Sequence, residues 1–353
     1  MAAAPISIVI PAFNQLEFCR QCVHSILLHT QLAYRLILVD NGSTDGVSEF
    51  FDSVPGAVVA HAGRNLGFAG GVNLGLEYAS GHVVLLNSDT IVPRGWLERL
   101  ETALLNSPDI GIVGPMSNCV SGSQLIPDLN FNGVDEINDY AESLYVRRRG
   151  VLRDVARLVG FCMLIREETL EKVGRFDETF GVGNFEDDDY CLRTLRAGYR
   201  LCVAEDCFVF HYGGRTFSGM GLVDEAWKTL ISENERRFLA KWDLEPDERS
   251  DAAQQSRQYQ RQAHEALVAG RNVEALRLLK QAIETAPQVE RNYNDLGTIL
   301  WEMGERERAY AQFARALQLN PAYAEARENL REAAWVLHRE TEAEALLRDL
   351  PEK

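Results

Sequence analysis

Hydrophobic positions change their spacing partway along the chain. In the first half, short continuous apolar runs stand at Ile6–Ile10 (ISIVI), Leu36–Val39 (LILV), Val58–Ala60 and Val83–Leu86 (VVLL). Between them lie stretches such as Glu17 to Leu28, whose apolar residues recur at helical spacing. The alternation predicts an α/β domain with a largely parallel central sheet. Ligands of such sheets sit beyond the carboxyl ends of the strands. That singles out Pro11-Ala12-Phe13-Asn14, the turn-rich stretch from Asp40 to Asp45, and Asn87-Ser88-Asp89-Thr90. Residues 116–159 follow no fixed pattern, and their Gly, Asn and Ser suggest loops.

The C-terminal third has a different rhythm. From Ser256 a 34-residue period relates Tyr259, Ala266, Gly270, Ala275, Leu279, Ala282 and Pro287 to Tyr293, Leu300, Gly304, Ala309, Phe313, Ala316 and Pro321. This resembles the tetratricopeptide repeat, with Leu296-Gly297 in its expected place in the second copy and a departure at Gln262-Ala263 in the first. In such repeats small residues let paired helices approach, Gly closes the turn between them and Pro ends the second helix. A shortened third copy, from Ala324 to about Leu350, keeps Leu330, Ala334, Ala343 and Leu347 and caps the stack. The expected division is residues 1–222 as the α/β domain, 223–255 as a helical linker and 256–353 as all-α helical repeats.

Composition narrows the function. A 46% hydrophobic share supports packed cores in a chain of 353 residues. The start, MAAAPISIVIPAFN, lacks the features of a signal peptide, and no apolar run reaches membrane-spanning length, so a cytoplasmic protein is expected. Seven cysteines, all within the first 207 residues, fit reduced thiols; Cys19 and Cys22 form a CxxC without a second ligand pair, read as packing. The formal charge is −16, of which −13 falls in residues 1–250. Nucleic acid is therefore not an expected partner, and an anionic ligand would need a cation between it and the protein.

The ordered series SIVIPAFN, ILVDNGSTDG, GRNLGFAGGVNLGL, VVLLNSDT, GFCMLIRE, VGRFDETF, NFEDDDYCLRTLRAGYRL and FHYGGRTF, over roughly residues 5 to 217, resembles family-2 glycosyltransferases of the GT-A fold. The resemblance implies a nucleotide-diphosphate sugar donor, UDP- or dTDP-linked, and a divalent metal, Mn²⁺ or Mg²⁺. It implies that Asp40 accepts from the ring N–H of the base, an alternative being an N-cap or Asx-turn acid before Gly42. Pro11, Ala12, Phe13 and Asn14 would then lie along the nucleoside, and Asn65, Gly67, Ala69 and Gly70 beside the diphosphate, or serve as turn residues. Asn87-Ser88-Asp89 matches the family's DxD element with Asn in its first place. Asp89 is the expected metal ligand, and His211, in FHYGG, a possible second one or a structural histidine.

The run Glu186, Asp187, Asp188, Asp189 opens a predicted helix. A helix N-terminus favours each acid by only about 0.3–1 kcal/mol. Arg193 stands one turn beyond Asp189, whereas Asp187 and Asp188 have no cation within a turn. The resemblance puts Glu186 and Asp187 where acceptor meets donor sugar, with Asp187 as the general base of an inverting transfer and Asp188 positioning the acceptor or binding backbone. Arg147, Arg148, Arg149 and Arg153 read as a solvated face or as a receiver for an acidic acceptor or a phosphate. The expected function is a metal-dependent inverting glycosyltransferase whose repeats hold a protein or peptide acceptor. The alternatives are surface-polysaccharide or lipid-linked glycan synthesis with repeats used for homodimerisation, and an inactive scaffold.

Overall fold

The computed structural model describes residues 5–213, 224–244 and 251–349. The chain forms two compact units, Met1–Leu244 and Glu245–Lys353. The expected boundary at residue 222 and the GRTF end of the last motif lie outside the described residues.

The first unit is built on strands β1 (Ile6–Ala12), β2 (Tyr34–Asp40), β3 (Val58–His61), β4 (Val83–Leu86), β5 (Thr90–Ile91), β6 (Ile110–Met116), β7 (Leu152–Val155), β8 (Cys162–Ile165), β9 (Arg200–Phe208) and β10 (Phe210–His211). Eight of them form one sheet in the order β3-β2-β1-β4-β8-β6-β9-β7, and β10 pairs with β5. β8 runs antiparallel between β4 and β6, and β7 antiparallel on β9; the other pairings of this sheet are parallel. The helices are α1 (Leu16–His29), α2 (Val47–Asp52), α3 (Gly67–Leu76), α4 (Trp96–Leu105), α5 (Val134–Arg148), α6 (Glu167–Val173), α7 (Glu186–Arg196) and α8 (Asp224–Trp242).

Strands buried on both faces explain the continuous apolar runs. Ile6, Ile8 and Ile10 of β1 face a core shared with α1 and α4, while Val9 faces one shared with α3 and α7. Helix α3 approaches the sheet closely: a Cβ on Gly75 would lie 2.4 Å from Val9 Cγ1. Residues 116–159 hold α5 and β7 rather than loops alone. The helix was legible after all, because Ile137, Ala141 and Leu144 bury one face at i, i+4, i+7.

Helix α8 falls in the stretch expected to be a linker, and it packs on the first unit. Phe238 is buried against Phe180 and Phe185, and Asn234 Nδ2 donates to the carbonyls of Phe180 and Gly183 at 2.7 and 2.9 Å.

The second unit comprises α9 (Asp251–Val268), α10 (Asn272–Thr285), α11 (Glu290–Glu302), α12 (Arg306–Leu319), α13 (Ala324–Leu337) and α14 (Glu340–Asp349). Gly270 and Gly304 turn the chain within successive pairs at φ +73° and +81°. A Cβ on Gly297 would lie 2.5 Å from the Phe313 ring, so only glycine admits this close approach.

Candidate active site

Parallel pairing brings the first two predicted loops together. Ala12 and Asp40 are register partners at the carboxyl ends of β1 and β2, and β4, on the other side of β1, ends one residue before Asn87. Asn14 Oδ1 accepts from Thr44 N at 2.8 Å and Ser43 Oγ accepts from Asn14 N at 2.9 Å, which lock the loops to each other. The carbonyl of Ala12 accepts from Asn41 N at 2.8 Å, so part of the backbone expected along a nucleoside already serves the fold. Phe13 is half-buried beside it, and Pro11 is buried inside β1. Asp40 Oδ1 accepts from Ser43 N, three residues on, at 2.8 Å, a local bond that fixes the loop, and Oδ2 stands 3.5 Å from His61 Nδ1.

The glycine-rich stretch is held by a residue the sequence reading passed over. Asn41 Nδ2 donates to Asn65 Oδ1 and to the Gly67 carbonyl at 3.2 and 2.9 Å, and its Oδ1 accepts from Leu66 N at 3.0 Å. Asn65 Oδ1 also accepts from Gly67 N at 2.8 Å. Gly67 sits at φ +76°, where a Cβ would lie 1.9 Å from the Gly181 carbonyl oxygen. Its missing side chain thus admits another stretch of protein backbone. Ala69 and Gly70 are buried at the start of α3.

Asp89 and His211 come together through the β5–β10 pairing, in which His211 faces Thr90. His211 Nε2 lies 3.2 Å from Asp89 Oδ1. His211 Nδ1 is 2.7 Å from the Cys119 carbonyl; a carbonyl only accepts, so Nδ1 carries a proton and Nε2 is the ring nitrogen turned toward Asp89. Asn118 fixes the same residue from both sides, accepting from His211 N at 2.9 Å and donating to its carbonyl at 3.1 Å. The donor set fits a divalent cation: one carboxylate oxygen and one imidazole nitrogen at the separation of two ligands sharing an ion bound about 2.1 Å from each. No cluster of three or more His, Cys, Asp or Glu side chains that could hold a metal exists among the described residues. Ser88 is buried, and Asn87 contributes backbone, its N–H donating to the Phe161 carbonyl at 2.8 Å.

The four acids at the start of α7 are 5%, 8%, 3% and 0% exposed in order, which excludes a solvated helix cap. The turn before them carries two successive left-handed residues, Asn184 and Phe185, at φ 73° and 75°. Asp187 Oδ2 accepts from Gly160 N at 2.8 Å and Oδ1 accepts from Asp188 N at 2.9 Å. Asp188 pairs with Arg157 at 2.6 Å. Asp189 meets Arg193 at 2.8 Å, Lys241 at 2.6 Å and the Trp242 indole N–H at 3.0 Å. Glu186 differs, since its Oε2 is buried without a hydrogen-bond partner. Burial first, then the neighbouring Asp187 charge, hold its carboxyl well above the usual range.

Two adjacent residues join the halves of the site. Gly160 donates its N–H to Asp187, and the Phe161 ring stacks on His211 with centroids 5.2 Å apart. The carboxylate of Asp187 and the Asp89–His211 pair therefore flank one short segment, although about a hundred residues separate Asp89 from Asp187 in sequence. Arg157, Gly160 and Phe161 were missed by sequence reasoning; the GF pair that opens GFCMLIRE was the available signal.

Residues 7–174 match the family model for glycosyl transferase family 2. An uncharacterized protein of Mycobacterium tuberculosis (strain ATCC 25618 / H37Rv) is 32% identical over 217 residues, 60% of this chain and 75% of that protein. The chain belongs to glycosyl transferase family 2. An N-acetylglucosaminyl-diphospho-decaprenol L-rhamnosyltransferase of the same strain is 26% identical over 214 residues, 53% of this chain and 69% of that protein. The fold matches GalNAc-T7, crystallised with UDP, GalNAc and Mn²⁺, at a TM-score of 0.51 and 17% identity, over 73% of this chain and 51% of that one. The family-2 domain thus has the GT-A fold, an α/β architecture with a mostly parallel central sheet, followed here by an all-helical region. No described helix is long and apolar enough to cross a membrane.

The cysteines of the domain are free thiols. Cys19 and Cys22 are buried in α1, and burial pushes the Cys22 thiol up to about 12, so the CxxC is packing.

Proposed function

We propose that the chain transfers a sugar from a nucleoside diphosphate, UDP or dTDP, to an acceptor hydroxyl with inversion at the anomeric carbon. The carrying observation is the convergence of Asp187 with the Asp89–His211 pair across Gly160 and Phe161. The donor lies over the carboxyl ends of β1, β2 and β4, with its base near Asp40 and its diphosphate between Asn87-Ser88-Asp89 and the turn of Asn65, Gly67 and Gly70. Asp89 and His211 are the residues that would hold Mn²⁺ or Mg²⁺, whose chemistry when bound is to neutralise charge on a diphosphate.

The acceptor oxygen attacks the anomeric carbon from the face opposite the phosphate, its proton passing to the Asp187 carboxylate as the bond to the phosphate oxygen breaks. Backbone N–H groups grip both carboxylate oxygens, which fixes the orientation of the base, and each oxygen keeps a further lone pair. Arg157 and Asp188 position the first turn of α7, and Glu186, whose carboxyl is pushed well above the usual range by burial, has its Oε2 left for a substrate partner. A thermal-shift series with UDP- and dTDP-sugars, with and without Mn²⁺, tests this reading. Stabilisation that requires the cation in the wild type and disappears in Asp89→Ala is expected; equal stabilisation of both proteins by every nucleotide would refute the metal assignment.

The helical unit is read as tetratricopeptide-type repeats that hold a polypeptide, either the acceptor or a partner delivering it. Supporting this, the 34-residue period is carried into packing: Ala275 and Ala309 are both fully buried, as are Ala282 and Ala316. Removing residues 251–353 should end modification of a polypeptide acceptor and spare slow donor hydrolysis. Retained modification together with a dimer-to-monomer change would favour oligomerisation instead.

A further inference from the structure

A cavity of about 640 Å³ opens between α5, the loop after β6, β7 and β9; it is lined by three of the arginines singled out in the sequence and by none of the residues placed in the candidate active site. It nevertheless shares a wall with the candidate active site. Along that loop, Asn118 and Cys119 hold His211, and Ser121 Oγ accepts from Arg157 at 3.0 Å, the residue paired with Asp188. The next residues, Gly122 and Ser123, already face the cavity. One thin loop separates the two.

The charged lining consists of Arg147, Arg148, Arg153 and Glu205. Glu205 is used on both oxygens, by Arg153 at 2.7 Å and Arg148 at 3.4 Å. Arg147 Nε donates to the Ser143 carbonyl at 3.2 Å, one turn back on its own helix. The lining therefore carries three guanidinium groups and one carboxylate, which two of them share, in a chain of formal charge −16. The helix dipole accounts for two of them, since Arg147 and Arg148 occupy the last turn of α5. Arg153 enters the same space from β7, with Nε on Glu205 and Nη2 donating to the Ser123 carbonyl at 2.6 Å, which fixes its guanidinium against the loop shared with the candidate active site. The rest of the lining is largely apolar, with Met116, Ile126, Tyr140 and Leu144. A guanidinium fork matches phosphate oxygens in pairs, whereas an apolar wall selects ring or hydrocarbon surface.

We propose that this cavity is an acceptor subsite that receives a phosphate group carried next to an apolar or ring portion of the acceptor. The proposal rests on reading the first unit as the transferase, with the polypeptide on the helical unit being a partner that delivers the acceptor rather than the acceptor itself. Lipid phosphates and sugar phosphates offer the same chemistry, and the test separates them.

The full chain, with its donor site saturated by UDP or dTDP, is titrated calorimetrically with farnesyl diphosphate, glucose 1-phosphate and uncharged farnesol. At least one phosphate probe should bind, more weakly as salt rises, with farnesol at least tenfold weaker. Preference for farnesyl diphosphate points to a lipid source and preference for glucose 1-phosphate to a soluble one. Arg147→Glu, a surface change on α5, should weaken the phosphate probe at least tenfold while leaving nucleotide binding and donor hydrolysis within twofold; Arg153→Gln should weaken it in the same direction. Binding unchanged in both variants, farnesol equal to its diphosphate, or no phosphate binding beside intact nucleotide binding would each overturn the proposal. A wild type that binds the phosphate probe in an Arg147-dependent way yet binds neither nucleotide would keep the cavity's role and overturn the transferase reading instead.

Discussion

Replacing Asp187 by Asn looks like a purely catalytic change, and the structure says it is not. Both carboxylate oxygens accept a backbone N–H, from Gly160 at 2.8 Å and from Asp188 at 2.9 Å, in a residue that is 8% exposed. An amide has one acceptor oxygen, so in either flip its NH₂ faces one of these N–H groups. Leaving a buried donor unsatisfied costs about 1–3 kcal/mol. For a unit of this size, about 2–4 °C per kcal/mol, the melting transition should fall by roughly 2–12 °C. Asp187→Ala, which leaves both N–H groups without their partner, should melt lower still. Loss of the general base should reduce turnover by about 10²–10⁴-fold. Scanning calorimetry reads the first effect, nucleotide titration confirms that the donor site persists, and single-turnover transfer reads the second. Turnover within tenfold of wild type, in a protein that still binds nucleotide, would refute the role of Asp187 as base. An unchanged melting temperature would refute the double acceptance.

Other consequences are equally direct. Arg157→Met leaves the Asp188 carboxylate buried without its cation and should cost about 3–5 kcal/mol, most of it recovered in Arg157→Met/Asp188→Leu; a double variant no more stable than the single one would contradict the pairing. Gly67→Ala meets the Gly181 carbonyl at 1.9 Å and should cost about 3 kcal/mol or more by denaturant unfolding, whereas Gly63→Ala, at φ +69° with nothing within 4 Å of its Cβ, should cost about 1–2 kcal/mol; equal losses would argue against the close approach. Because the folded state keeps the Glu186 proton after the unfolded chain has lost it near pH ~4.3, stability should fall as pH rises from there through the raised folded value. Glu186→Gln should flatten that decline, and an unchanged pH slope would count against the burial effect. Thiol titration should find Cys119 alone reacting quickly in the native protein and all seven cysteines in denaturant; several fast native thiols would contradict the buried placement of the others.

By itself the sequence determined what depends on neighbours a few residues apart. Continuous apolar runs announced β1, β2 and β4, because strands covered on both faces have no polar side to show, a shorter run marked the edge strand β3, and the turn residues after β1, β2 and β4 marked the ends where a ligand can sit. The 34-residue period announced the helical pairs, since each repeat buries small residues against the next. Asp89, Asp187 and His211 could be named from their motifs, but their partners could not. Tertiary structure decided that Gly160 holds Asp187, that Arg157 neutralises Asp188, that Lys241 and Trp242 of α8 reach Asp189, and that His211 crosses 122 positions to face Asp89. It also gave Gly67 to the Gly181 carbonyl. The reason is physical: hydrophobic periodicity is imposed by the local backbone, whereas a buried carboxylate takes whichever donor the packed chain brings within about 3 Å, and that donor is chosen by the order of strands in the sheet.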